Sequence, residues 1–187
     1  MIRNSLIFGA GAGVIVVLPM FLIPADAGWD TLWTGYLIMI LAFSLIFVGV
    51  KRYRDRVLGG VIRFFPALLV GLGISVVAGV LYVIGWEVSL RTTHFAFVND
   101  YSHAMIEAAR AKGASAARLA QVSAEMAAFK AQYADPLYRL PMTFMEIFPV
   151  GALISLIAAG LLRNSRFLPA RAVAACRLLA GTALLGR

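Results

Sequence analysis

Residues Pro66–Trp86 read PALLVGLGISVVAGVLYVIGW, twenty-one positions without one charged side chain. A helix rises about 1.5 Å per residue, so this run measures about 32 Å, close to the hydrocarbon thickness of a bilayer. Inside hydrocarbon every backbone N–H and C=O must find its partner within the protein, which leaves helices and closed barrels as spanning structures. Barrel strands are about 9–11 residues long and alternate in polarity. Nothing in this run alternates, so it reads as a transmembrane helix.

Working outward, three more stretches have the same character: Ser5–Ile23, Leu32–Val50 and Met142–Leu162. Within all four, Glu146 is the one side chain that is charged at neutral pH. The whole chain agrees with them, because 61% of its 187 residues are hydrophobic and only 14% are charged. Soluble domains carry about 45–50% apolar and about 25% charged residues. Intrinsic disorder needs the opposite composition. The expected fold is all-α: an integral membrane four-helix bundle, with residues 1–166 as the membrane domain.

The span ends carry local signals. Pro66 and Pro141 suit the first turn of a helix, where a missing N–H is harmless. Trp29, Trp33, Tyr82 and Trp86 suit the headgroup level, where rings with one polar edge are favoured. Pro19 and Pro24 bend or end the first helix, and Pro149 kinks the fourth. Ala25-Asp26-Ala27 has the small-x-small form cut by signal peptidase. The preceding apolar run is longer than the 7–15 residues of a signal peptide's core, so a retained helix is expected.

The hydrophilic pieces alternate in charge. Within about 15–20 residues of the span ends, Arg3, KRYRDR (Lys51–Arg56), Arg63, Arg163, Arg166, Arg171 and Arg177 fall on one side of the bilayer, and Arg91, Lys130 and Arg139 on the other. Cations near span ends stay cytoplasmic, which places both termini on the cytoplasmic side of the membrane and the segment between spans three and four outside. The net charge of +8 is then a record of threading and requires no nucleic acid partner. The chain's single cysteine, Cys176, has no partner for an intramolecular disulfide.

The outer segment is too long for a structureless connector. It reads as a helical hairpin over residues 92–134. Thr92 or Thr93 is the expected cap of its first helix, which Gly113 ends, and Ser115 caps the second. Leu119, Val122, Met126, Phe129 and Tyr133 follow helical spacing and form its apolar stripe. Asp135-Pro136 stops it. Residues 167–187 read as a cytoplasmic tail that lies in the inner interface or stays disordered, since Arg177 disfavours insertion of its short apolar run.

Several stretches carry a resemblance: Gly35–Asp55, Gly59–Gly71, Tyr82–Glu87 and, most extensively, DPLYRLPMTFMEIFPVGALISLIAAGLLR at Asp135–Arg163. Over residues 1–165 the chain resembles a family of bacterial four-span membrane proteins of unknown function, the domain-of-unknown-function family numbered 4199. The resemblance implies a helical membrane protein and no particular activity. Beyond Arg166 the chain departs from the family's pattern.

Candidate sites follow from residue chemistry. Glu146 leads, because an ionisable group inside a span marks a proton, ligand or substrate site by default. Glu87 follows span three on the same side, which would bring two carboxylates to one level. Asp100, His103 and Glu107 share one face of a helix, a weak metal-site pattern without a repeated histidine or cysteine pair. Lys51, Arg52, Arg54, Arg56 and Arg63 serve topology or grip anionic headgroups. Gly71, Ser75, Gly79, Gly151 and Ser155 recur at four-residue spacing, which lets helices approach closely. The glycine-rich run Gly9–Gly13 lacks the strand and lysine of a nucleotide loop. No cofactor is expected. The functional expectation is a non-enzymatic membrane protein that packs with copies of itself or with partners through the small-residue stripes and the hairpin. The alternative is a small transporter or channel subunit that uses Glu146.

Overall fold

A computed structural model describes residues 1–22 and 32–170. Ala25-Asp26-Ala27, Trp29, Cys176 and the expected tail from residue 171 onward lie outside the described residues. Six helices follow in order: α1 (Ile2–Leu22), α2 (Leu32–Val57), α3 (Phe64–Thr92), α4 (Ala96–Ala111), α5 (Ala116–Ala134) and α6 (Pro136–Leu162). Among the described residues there is no strand. Helices α1, α2, α3 and α6 are each long and apolar enough to cross a membrane.

These helices overrun the apolar stretches that announce them. Helix α2 continues past Val50 through the basic run to Val57, and α3 continues past Trp86 to Thr92. Helix α6 begins at Pro136, well before Met142. Pro141 is therefore not at a helix start but inside one. The start is set by Asp135, whose carboxylate accepts from the Leu137 N–H at 2.9 Å, with Pro136 in the first helical position. Hydropathy reports where lipid contact ends, whereas backbone pairing carries on into the headgroups.

The hairpin exists as α4 and α5. Ser115 accepts from the Arg118 N–H at 3.3 Å, and Gly113 makes the turn in the left-handed region at φ +74°, as read from the sequence. Thr92 and Thr93 do not cap α4. They close α3, where the Thr93 hydroxyl donates to the Ser89 carbonyl at 2.8 Å. The link into α4 is made by His94 and Phe95, both at positive φ, with the Phe95 N–H returning to the Leu90 carbonyl at 2.8 Å. A pair of non-glycine residues in that region is uncommon, and sequence spacing gave no hint of it.

Helix α3 packs against α1, α2 and α6, and α2 packs against α1 and α6. Phe43, Ile46, Ile74 and Ile147 fill the space between them and are fully buried. Helices α3 and α6 approach closely along a seam of small residues. A Cβ on Gly71 would sit 2.8 Å from the Ser155 Cβ, and one on Gly151 would sit 2.7 Å from the Ser75 hydroxyl. The two serine hydroxyls are 3.2 Å apart and wholly buried. Lower on the same seam, Gly79 faces the ring of Phe144. All five small residues singled out in the sequence are thus spent on contacts within one chain.

Candidate functional site: two tied ends and an outward carboxylate

At the hairpin end, Arg139 of α6 reaches Glu87 of α3 through two parallel bonds, Nε to Oε1 at 2.5 Å and Nη2 to Oε2 at 2.9 Å. The forked guanidinium matches a carboxylate in this way better than any other cation. Its remaining nitrogen donates to the carbonyls of Tyr133 at 2.7 Å and Ala134 at 3.3 Å, which are the last carbonyls of α5. The guanidinium also lies over the rings of Phe95, 5.3 Å away, and Tyr133, 5.8 Å away. One residue, only 2% exposed, therefore holds α3, α5 and α6 together. Beside it the Trp86 indole N–H donates to the Tyr133 hydroxyl at 2.8 Å. Burial pushes the titration of that hydroxyl up, so it stays neutral as an acceptor. Leu90, Val98 and Tyr133, with Trp86, Phe95 and Phe129 against them, make a small apolar cluster under the hairpin.

At the opposite end, Arg54 is completely buried. It donates to the carbonyls of Leu162 at 3.3 Å, Phe167 at 3.0 Å and Leu168, and to Asp55 at 2.7 Å. The end of a helix leaves carbonyls unpaired and partly negative, and a cation there satisfies both needs. Arg54 thus closes α6 and holds Phe167 and Leu168, with Phe167 edge-on to Phe47 at 6.0 Å. Lys51 pairs with the same Asp55 at 2.5 Å. Of the basic residues read as headgroup or topology determinants, Arg54 faces the protein interior, while Arg52, Arg56 and Arg63 remain exposed.

Glu87 and Glu146 do not share a level. Glu87 is taken by Arg139, whereas Glu146 accepts from the Tyr82 hydroxyl at 3.4 Å. Glu146 lies seven residues beyond Arg139, about 10 Å deeper along α6. Its side chain is exposed on the outer surface of the bundle, beside Met142, Met145 and Pro149. Pro149 has no N–H to give the Met145 carbonyl, so a backbone acceptor and a carboxylate occur together on that face.

Asp100, His103 and Glu107 all lie exposed on α4. Glu107 pairs with Arg110 at 2.7 Å. Among the described residues no group of three His, Cys, Asp or Glu side chains is placed to hold a metal ion.

The sequence reading missed the structural parts of Arg139 and Arg54. The first had a signal: Glu87 and Arg139 sit just beyond the apolar runs of adjacent antiparallel spans, with opposite charge. The second had none, because its acceptors are main-chain carbonyls, which leave no mark in a sequence.

A family model described as "Protein of unknown function (DUF4199)" matches residues 7–164. No curated protein and no solved structure matches the chain.

Proposed function

Because the chain belongs to the DUF4199 family, a family without an assigned activity, we propose its role from its own geometry: a non-enzymatic protein of the bacterial inner membrane that assembles in the bilayer through the outward face of α6. The observation that carries this reading is Glu146. Intramembrane carboxylates normally face a bundle interior or a water-filled cavity; this one is exposed on the bundle's outer surface. Left against lipid, an acidic side chain at depth costs about 2.5–3.5 kcal/mol on the insertion scale. The Tyr82 hydroxyl supplies one donor at 3.4 Å, and a neighbouring transmembrane helix that brings further donors offsets the rest of this cost and satisfies the Met145 carbonyl as well. The small-residue stripes do not supply the assembly surface, since they already join α3 to α6. The reading keeps both termini cytoplasmic and the hairpin outside, on the strength of the cation asymmetry.

Native mass spectrometry of the chain released directly from membranes tests this. Wild-type protein is expected with a second copy or a partner chain bound. Glu146→Leu is expected as a free monomer; combining it with Tyr82→Phe, so that the buried Tyr82 hydroxyl is not left without its acceptor, separates loss of assembly from loss of stability. A Glu146→Leu protein that retains its complexes contradicts the proposal.

A further inference from the structure

The basic end of the bundle divides its cations into two sets. Asp55 takes Lys51 and Arg54, and Arg54 is buried besides. Arg52 and Arg56, one helical turn apart on α2, share a different face with Arg3 of α1. These three arginines line one cavity of about 180 Å³ together with Asn4, Tyr53 and Phe8. No carboxylate lines it, and none of the three makes an ion pair among the described residues. The guanidinium of Arg52 lies 5.9 Å from the Phe8 ring centre, stacked over its face. Asn4 is held by its amide, which donates to the Gly49 carbonyl at 2.7 Å and ties α1 to α2 at this point.

Three guanidinium groups around one cavity with no internal counter-charge repel one another unless an anion sits between them. The fork of an arginine fits phosphate oxygens in pairs. The cavity is also amphipathic: beside the arginines its wall is made by Val57 at the end of α2 and by Ile7 and Phe8, the last two leading into the apolar length of α1. We infer that Arg3, Arg52 and Arg56 form a binding site for the phosphate of an anionic ligand, the headgroup phosphodiester of an acidic phospholipid or a free phosphate. The apolar wall favours the lipid, whose acyl chains would run along α1. Lys51 and Arg54 are outside the site because both turn to Asp55 and neither lines the cavity, and Arg63 does not line it either. This inference rests on the membrane location alone and is independent of the part proposed for Glu146.

The test uses the full chain in neutral detergent, titrated with phosphatidylglycerol, with phosphatidylcholine, and with inorganic phosphate, and read by native mass spectrometry. Phosphatidylglycerol is expected to remain bound where phosphatidylcholine is lost. Arg52→Gln/Arg56→Gln is expected to weaken that binding about thirtyfold, each cation near an anionic surface being worth a factor of about five. Arg163→Gln, an exposed cation at the same end, leaves it unchanged. All the substituted side chains are exposed, and an unchanged melting temperature confirms that the variants are folded. Arg52→Lys/Arg56→Lys, which keeps the charge and loses the fork, is expected in between. Inorganic phosphate bound and lost on the same substitutions, without phosphatidylglycerol, supports the site with a soluble ligand. Equal binding of the two lipids overturns the inference, as does anionic binding that survives Arg52→Gln/Arg56→Gln or an absence of binding by any of the three probes.

Discussion

Arg139 shows how much one residue does once its charge is buried within the protein. Its side chain is 3% exposed and that of Glu87 15%, and a buried pair is costly to break because the surviving charge is left without compensation. Removing one partner of such a pair costs about 3–5 kcal/mol, while replacing both by neutral groups is often tolerated. Arg139→Met is accordingly expected to lower the unfolding free energy in detergent by about that amount. Glu87→Gln/Arg139→Gln should recover most of the loss, and a double variant no more stable than Arg139→Met would remove the pair from the account. The carbonyls of Tyr133 and Ala134 lose their donor in either variant, so recovery is incomplete. Arg54 is the counterpart at the other end, with backbone acceptors in place of most of a carboxylate's share. Neither residue stands out in composition or periodicity, because what defines each is a partner far away in sequence.

At the scale of elements, the apolar runs marked four long apolar helices. The pattern of Ser115, Gly113 and the Leu119–Tyr133 stripe marked the second hairpin helix, where Val122 and Tyr133 are indeed buried. The starts of α4 and α6 were not legible. The left-handed pair His94 and Phe95 has no glycine to betray it, and Pro141 looked like a helix start although α6 absorbs it. The small-residue stripes were legible as surfaces where the bundle packs closely, although spacing alone does not say which helix fills each groove. Gly71 and Gly160 separate the two cases on one seam and one open face. A side chain at Gly71 meets Ser155 at 2.8 Å, whereas nothing lies within 4 Å of a Cβ built on Gly160. Gly71→Leu is expected to cost more than the about 1–3 kcal/mol of ordinary overpacking and to deplete folded protein whatever its assembly state. Gly160→Leu should leave the melting temperature nearly unchanged. Equal melting temperatures for the two variants would break the α3–α6 seam as described.

For the whole molecule, charge and packing tell one story from two directions. The end tied by Arg54 carries Arg3, the basic run of α2, Arg63 and Arg163, and the end tied by Arg139 carries the hairpin. Nothing in the packing of a bundle distinguishes one side of a membrane from the other, so direction rests on the cations alone. The outward carboxylate at Glu146 and the arginine cavity at Arg3, Arg52 and Arg56 were only partly legible beforehand. The residues were visible, but which of them face outward or lack a counter-ion depends on how the helices rotate about their axes.

The central claim is that this charge asymmetry threads four spans with the hairpin exported. Alkaline phosphatase, active only after export, tests it when fused at Gly113, the turn between α4 and α5, where nothing lies within 4 Å of the built Cβ. The account predicts an active fusion at Gly113 and an inactive one at Gly59, in the turn between α2 and α3. A fully expressed but inactive fusion at Gly113, with activity at Gly59, would contradict it.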